Sequence, residues 1–549
     1  MPPAMNITPA QSATQTSDVP RWNKAVFKAA LILNGIVAYC ILHADRLYVD
    51  DLGRVHSGYT GWTGDGRPLT TLIMQSLNMG TPLTDLTPLP QILAVLLLGW
   101  CAMLVARKFE IRDAATAVLA AFPLGASPFF LENLSYKFDV LTMVLAMSLA
   151  VAAVCDTPWR GRKMGWGALC LLGTLCLYQP SLNAFLVFSV LEFLYLMWRD
   201  AAPGMLARQA LGRLVQVVAA MIPYKIIAAV ILHNVYASYH ATLLHPREWS
   251  ALSDNVLSYW ELIREGLSET GSWPLRAALA LGLALALLCG LRYAARAWRS
   301  CGVSGRIGRA VLALIIPAAL ALSAMGPLLF LSEAVVEPRI MVGIGALISA
   351  SLVLLCILGR EMVPWPRLRR YGLWTLLGLP AYSMLLLAAV YGYAMLAQNN
   401  YEHRISASLA DDFVNINQRY AARGVSLEHY VLNGTAGYPP VLNLTMKKYP
   451  FLRRLVPIYL TSGWGWVRDL LGQYRMRETM DTLPGSLSEA VSHECDNPPV
   501  RITANYQLYV VGSIVVVSFN NAMQCTFDQL QQPVAPTPRL GIPKGNLPQ

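Results

Sequence analysis

Charge is scarce in this chain. Only 14% of the residues are Asp, Glu, Lys or Arg, against 55% apolar residues, and the mean hydropathy is +0.43. That balance excludes a water-soluble globule. No phosphate-cradling glycine loop ending in Lys-Ser/Thr, no paired-cysteine zinc spacing, no dinucleotide fingerprint and no HExxH stretch occurs, which argues against an ATP-driven pump and a zinc hydrolase. No repeat of fixed period stands out. Residues 1–24 are polar and rich in Ser, Thr and Pro, and lack the apolar core and small-residue cleavage site of a removable signal peptide. They read as a cytoplasmic tail, with the first apolar span as its own insertion signal.

What the chain has in quantity is long apolar runs. Runs of about 17–25 residues, enough to cross roughly 30 Å of hydrocarbon as helix, lie near 25–43, 88–106, 113–131, 139–155, 164–179, 182–198, 212–232, 274–291, 309–330, 340–358 and 372–396. The sequence therefore predicts a polytopic α-helical membrane protein with about eleven transmembrane helices over 25–396. Pro123 and Pro128 interrupt the third run and Pro180 separates the fifth from the sixth, which suggests short or re-entrant pieces whose backbone must be satisfied inside protein.

The formal charge of +11 matters less than where the cations sit. Arg21, Lys24 and Lys28 precede the first span, and Arg107, Lys108 and Arg112 follow the second. Alternate connections continue with Arg160, Arg162 and Lys163, then Arg199, Arg208 and Arg213, then Arg292, Arg296, Arg299, Arg306 and Arg309, then Arg360, Arg367, Arg369 and Arg370. The positive-inside rule makes these loops cytoplasmic. It places loops 44–87, 125–138, 233–272 and 331–339, and the region after 397, on the opposite side. The basic loops are read as topology signals facing anionic lipid, not as a nucleic-acid surface.

Residues 397–530 change composition and read as a small mixed α/β domain, with helical spacing in Asn399–Arg423 and Leu460–Met480 and one or two strands in Tyr506–Phe519 around Gly512. Residues 531–549 are Pro-rich and expected to be flexible. The run from Lys447 to Arg454 mixes aromatics and cations, as a face for headgroups or for glycan would. Of ten cysteines, Cys40, Cys101, Cys155, Cys170, Cys176, Cys289 and Cys356 lie in or beside spans as small buried apolar residues, and Cys301 lies in a cytoplasmic loop. Cys495 and Cys525, isolated in the translocated tail, are expected to form a disulfide.

The chemistry-bearing residues cluster in the external loops. Tyr48-Val-Asp-Asp-Leu-Gly-Arg54 follows the first span, with His43, Asp45, Arg46 and His56 nearby. Asp50 and Asp51 point in different directions on a helix or a strand, so one is a candidate general base and the other a partner for Arg54 or Arg67. The alternative is a salt-bridge cluster capping the span. Pro68 starts a short amphipathic helix carrying Leu69, Leu72, Ile73, Ser76 and Leu77. A second set holds Glu132, Tyr136, Lys137 and Asp139, where ionisable groups near membrane depth point to function unless Glu132, Lys137 and Asp139 neutralise one another. Gln179, Lys225, His240 and Arg339 complete the candidates; several isolated cations at one depth call for an anion such as a lipid phosphate. Tyr59, Trp62, Trp260, Trp464 and Trp466 are candidates for stacking on sugar rings or for an interfacial aromatic belt.

Tyr48-Val-Asp-Asp-Leu-Gly-Arg54, Gly66-Arg67-Pro68, Asp85-Leu-Thr-Pro88-Leu-Pro90-Gln91, Leu131-Glu-Asn-Leu-Ser-Tyr-Lys-Phe-Asp139, Tyr178-Gln-Pro-Ser181, Lys448-Tyr-Pro450 and Leu455-Val-Pro457 together resemble the Gtr type II-like bacterial membrane glucosyltransferases that modify O-antigen. The resemblance runs through most of the chain. It implies a GT-C-like fold in the bacterial inner membrane with a cytoplasmic N-terminus and a periplasmic C-terminal domain. It implies a polyprenyl-phosphate sugar donor, undecaprenyl-phosphate glucose, and an acceptor that is lipopolysaccharide O-antigen or its lipid-linked precursor. It also implies a catalytic carboxylate in the first external loop, matched here by Asp50-Asp51. Lys137 stands where many relatives are expected to carry Arg, which keeps the charge and loses the bidentate grip. No cofactor is expected, and without a nucleotide diphosphate no obligatory metal. The competing classes are a lipid-linked-glycan flippase, against which the absence of a repeat argues, and a glycan polymerase or ligase; the mass of the product separates all three.

Overall fold

The computed structural model describes residues 10–156, 163–234, 239–240, 242–245, 249–296, 302–427, 429–476, 490–493, 496 and 498–519. The predicted Cys495–Cys525 disulfide, Cys301 and the 531–549 tail lie outside them. The chain divides into two compact units, one of residues 1–43, 60–80 and 85–391, the other of residues 44–59, 81–84 and 392–549.

The first unit is helical. Among the described residues eight helices are long and apolar enough to cross a membrane: Asn23–Leu42, Leu89–Lys108, Gln179–Trp198, Pro203–Ile231, Trp273–Arg296, Gly305–Ser323, Val342–Met362 and Pro366–Ala421. Three of the eleven predicted segments fall on the shorter apolar helices Ala114–Ala126, Val140–Cys155 and Met164–Leu177. At 1.5 Å per residue these reach less than the hydrocarbon thickness. Pro123 opens a separate helical turn, Pro123–Ala126, and the backbone from there through Phe138 is buried in protein, as irregular structure at membrane depth requires. In its apolar 18-residue stretch Val342–Met362 is 89% buried, whereas the corresponding stretches of Pro203–Ile231 and Gly305–Ser323 are only 17% buried despite mean hydropathies of 2.1 and 1.7. Apolar faces of that extent suit lipid, not water. Of the seven cysteines assigned to spans, Cys40 is half-buried and the other six are buried, all as free thiols.

Two of the cations read as topology signals, Lys108 and Arg213, tie helices together. Buried Glu192 receives Lys108, Gln209 at 2.6 Å and Arg213 at 2.6 Å, and Arg213 also donates to the Ala153 carbonyl at 2.8 Å. Four helices are thereby pinned at one end.

In the second unit the last predicted span and the first predicted tail helix are one continuous helix, Pro366–Ala421, which enters this unit at Gly392. A four-stranded sheet follows, ordered β1-β4-β3-β2, with β1 His429–Asn433, β2 Arg501–Ile502, β3 Gln507–Val511 and β4 Ile514–Ser518. β3 and β4 are antiparallel around Gly512 at φ 60°, and β1 pairs parallel to β4. The apolar run of β4 is explained by burial on both faces: Val515 and Val517 join Tyr430, Leu432 and Leu508 in one core, while Val516 joins Val431, Tyr509 and Ala490 in another.

Two expectations change here. Of the predicted Leu460–Met480 helix, Trp466–Gly472 is helical; Gly463, at φ 75°, precedes it and breaks the run, and residues 477–480 lie outside the described set. In the Lys447–Arg454 run, Tyr449 and Phe451 are core residues while Lys447, Lys448, Arg453 and Arg454 are exposed, so the aromatics offer no face to headgroups or glycan.

Candidate functional site

The acidic pair opens a short helix, Asp50–Ser57, in the second unit. Leu52 packs into the core with Val467 and Leu470, and a Cβ on Gly53 would lie 3.2 Å from Trp466 and Tyr59. The helix therefore seats tightly on Trp466–Gly472, and its polar residues are divided by that seating. Asp51 is fully buried and its Oδ2 accepts the Tyr48 backbone N–H at 3.2 Å, turning back on the chain that leads into the helix much as a capping carboxylate does. Asp50 remains 42% exposed, with Arg54 one turn on at 3.7 Å. The Arg54 guanidinium is itself buried, 5.3 Å from the Tyr59 ring centre.

Behind this helix lies a network that begins with Arg46. Arg46 and Glu402 form an ion pair at 2.6 Å, each side chain 1% exposed. The other Glu402 oxygen accepts the backbone N–H groups of Tyr459 at 2.5 Å and Leu460 at 3.1 Å. Burial pushes the Tyr459 hydroxyl up to about 12 despite Arg46 nearby, so it stays a neutral O–H group. Asp469, whose carboxylate lies 3.6 Å from the Cβ position of Gly53, is raised above the ordinary carboxylate range by burial, partly offset by Arg468.

The remaining candidates lie in the first unit. Arg67 touches Asp139 at 2.8 Å without hydrogen-bond alignment and donates through Nε to the Leu177 carbonyl at 2.7 Å. The same Asp139 oxygen accepts the Trp62 indole N–H at 2.8 Å. Trp62 is fully buried, which removes it from the candidates for stacking on sugar. Glu132 accepts both the backbone N–H of Arg339 at 2.8 Å and its guanidinium at 2.7 Å, and Arg339 reaches the Tyr136 hydroxyl at 3.0 Å. The Arg339 carbonyl receives Asn133 and Tyr178. Lys137 faces Asp85 at 3.4 Å. Thus each of Glu132, Lys137 and Asp139 has a cation or anion from another part of the chain.

Gln179 donates to the Tyr224 hydroxyl at 2.7 Å and to the Gly66 carbonyl at 3.2 Å, and so belongs with Arg67. Lys225, next to Tyr224 on the same helix, is exposed, as are Ile222 and Ile226. His240 lies against the Glu333 carbonyl at 3.1 Å. The helix predicted from Pro68 is present as Pro68–Leu77, with Pro at its first turn, but it buries Thr70 and Met74 while Leu72 is 58% exposed.

A family model described as Glucosyl transferase GtrII matches residues 39–350. The chain belongs to this family. A protein of Salmonella phage P22, described as an uncharacterized 55.3 kDa protein in the gtrB 5' region, is 23% identical over 502 residues, covering 88% of this chain and 96% of its own length. No solved structure matches. The protein is thus a glycosyltransferase of the GtrII family, embedded in a membrane by apolar helices and acting on a sugar donor and an acceptor.

All twelve predicted site residues fall inside the GtrII match, whereas Glu402, Tyr459 and Asp469, which build the surroundings of Asp50 and Asp51, fall beyond residue 350. Sequence reasoning missed these three. For Glu402 there was a signal: an acid at the end of an apolar helical run, and an unexplained Arg46 beside the aspartates. Asp85 was quoted only as part of a motif, and its contact with Lys137 depends on a fold that spacing does not give.

Proposed function

We propose that this GtrII-family chain transfers one glucose, with inversion, from a polyprenyl-phosphate glucose to lipopolysaccharide O-antigen or its lipid-linked precursor on the periplasmic face of the bacterial inner membrane. Family membership and the distribution of basic loops support this reading, and the division of the acidic pair carries it to a mechanism. Asp50 is the carboxylate left partly open, while Asp51 is committed to the backbone. Asp50 therefore serves as the base and Asp51 as part of its mounting. An acceptor hydroxyl attacks the anomeric carbon as its proton passes to Asp50; the new C–O bond forms as the bond to the lipid phosphate breaks, and the phosphate leaves with the electron pair.

Charge growing on that phosphate calls for a fixed cation. Lys137 belongs to the Leu131–Asp139 motif that carries the resemblance and lies 3.4 Å from Asp85; Arg67 and Arg339 hold carboxylates at 2.8 and 2.7 Å. Lys137 is the first candidate for the leaving phosphate.

The test is transfer from synthetic polyprenyl-phosphate glucose to O-antigen by the purified full chain. Asp50→Asn should lose roughly 10²–10⁴-fold in kcat, the worth of a general base, with donor binding retained. Normal turnover in Asp50→Asn would refute the assignment. A product heavier by one hexose separates this activity from polymerisation, ligation or transport.

A further inference from the structure

The chain enters the Asp50–Ser57 helix through Val49 at φ 49°, ψ −105°. A β-branched residue at positive φ is a genuine outlier, and such strain persists only where the surroundings over-determine it. Those surroundings are explicit. The Tyr459 hydroxyl accepts the Val49 N–H at 2.8 Å and donates to the Leu47 carbonyl at 2.9 Å, so one O–H group grips the backbone at the strained residue and two residues before it. Tyr459 is in turn fixed: its backbone N–H is held by Glu402, and the Arg46 guanidinium covers its ring at 4.5 Å. Two further ties run between the same stretches, from the Tyr48 hydroxyl to the Leu455 carbonyl at 3.0 Å and from Arg46 to the Pro457 carbonyl at 2.7 Å. Four consecutive residues immediately before Asp50 are thus bound to residues 402 and 455–459.

We infer that Tyr459, seated by the Arg46–Glu402 pair, is a positioning residue that holds Val49 in its strained conformation and thereby sets the direction in which Asp50 leaves the chain. The inference rests on the reading of Asp50 as base. Relaxation of Val49 to negative φ would rotate the first turn of the helix and carry the Asp50 carboxylate away, while Asp51, anchored on Tyr48, would lose its acceptor geometry. A residue beyond the GtrII match would in this way govern the acid inside it.

The experiment compares the full chain with Tyr459→Phe, Val49→Gly and the double variant, measuring kcat, donor KM, melting temperature and hydrogen exchange over residues 45–52. Removing the hydroxyl lets Val49 relax, so Tyr459→Phe should lose roughly ten- to hundredfold in kcat at unchanged donor KM, with faster exchange confined to 45–52. Glycine takes positive φ without steric cost, so Val49→Gly added to Tyr459→Phe should recover most of that loss. A merely structural tyrosine would give additive losses and no recovery. Unchanged kcat in Tyr459→Phe, a double variant no better than the single, or a Tyr459→Phe chain that does not fold would each overturn the inference. If Tyr459→Phe behaves as expected while Asp50→Asn turns over normally, the clamp stands and the choice of base falls.

Discussion

The two polar regions are built on opposite plans. In the first unit, charge is settled over long stretches of sequence: Arg67 with Asp139, Glu132 with Arg339, Asp85 with Lys137. In the second, Asp50 has Arg54 one turn away, and the long-range pair Arg46–Glu402 backs a set of long-range bonds that hold the backbone in front of it. Side chains locked by ion pairs make a rigid frame. A backbone locked while the carboxylate stays half open makes a group available for chemistry and confined in direction, which suits a base whose transition-state geometry must be pre-set.

Breaking the frame behind the aspartates should have the largest effect. Glu402→Ala leaves Arg46 buried and uncompensated and should cost about 3–5 kcal/mol, seen as a large fall in melting temperature; a fall no greater than that of an exposed substitution would show that the pair is dispensable. In the first unit, Lys137→Met should lower kcat by roughly 10²–10³-fold, as loss of a group stabilising developing charge does. Lys137→Arg should keep most activity. Equal and small effects of both would remove Lys137 as the cation for the leaving phosphate. The smallest effect is expected at Asp469, where burial raises the folded-state affinity for a proton. Holding the ionised form costs stability once the pH exceeds the raised value, so Asp469→Asn should stabilise the chain at neutral pH, with the gain vanishing below the ordinary carboxylate range. A variant less stable than wild type at pH 7 would show that the ionised carboxylate is needed in place.

Helices were legible because their cause is local. Apolar runs set the spans, Pro68 the start of its helix, and Gly512 the turn of the β3–β4 hairpin. Of the three short segments, Pro123, Pro128 and Pro180 marked two as short or re-entrant in the sequence, whereas Val140–Cys155 holds no proline and was legible only as apolar. β1 was missed: five residues of mixed character become a strand only because β4 lies beside them. Lys225 and Trp62 were both candidates from their chemistry, and only the fold shows that one is exposed and the other buried.

The sequence by itself determined that this chain lives in a membrane, which loops carry its acids and bases, and which family it resembles, because hydropathy, charge placement and motif are properties of short stretches. Only the tertiary structure decided which carboxylate is open, which cations are already neutralised, and that Tyr459 grips the chain before Asp50. These depend on burial and on hydrogen bonds between residues more than 350 positions apart, and no local pattern encodes a contact of that range.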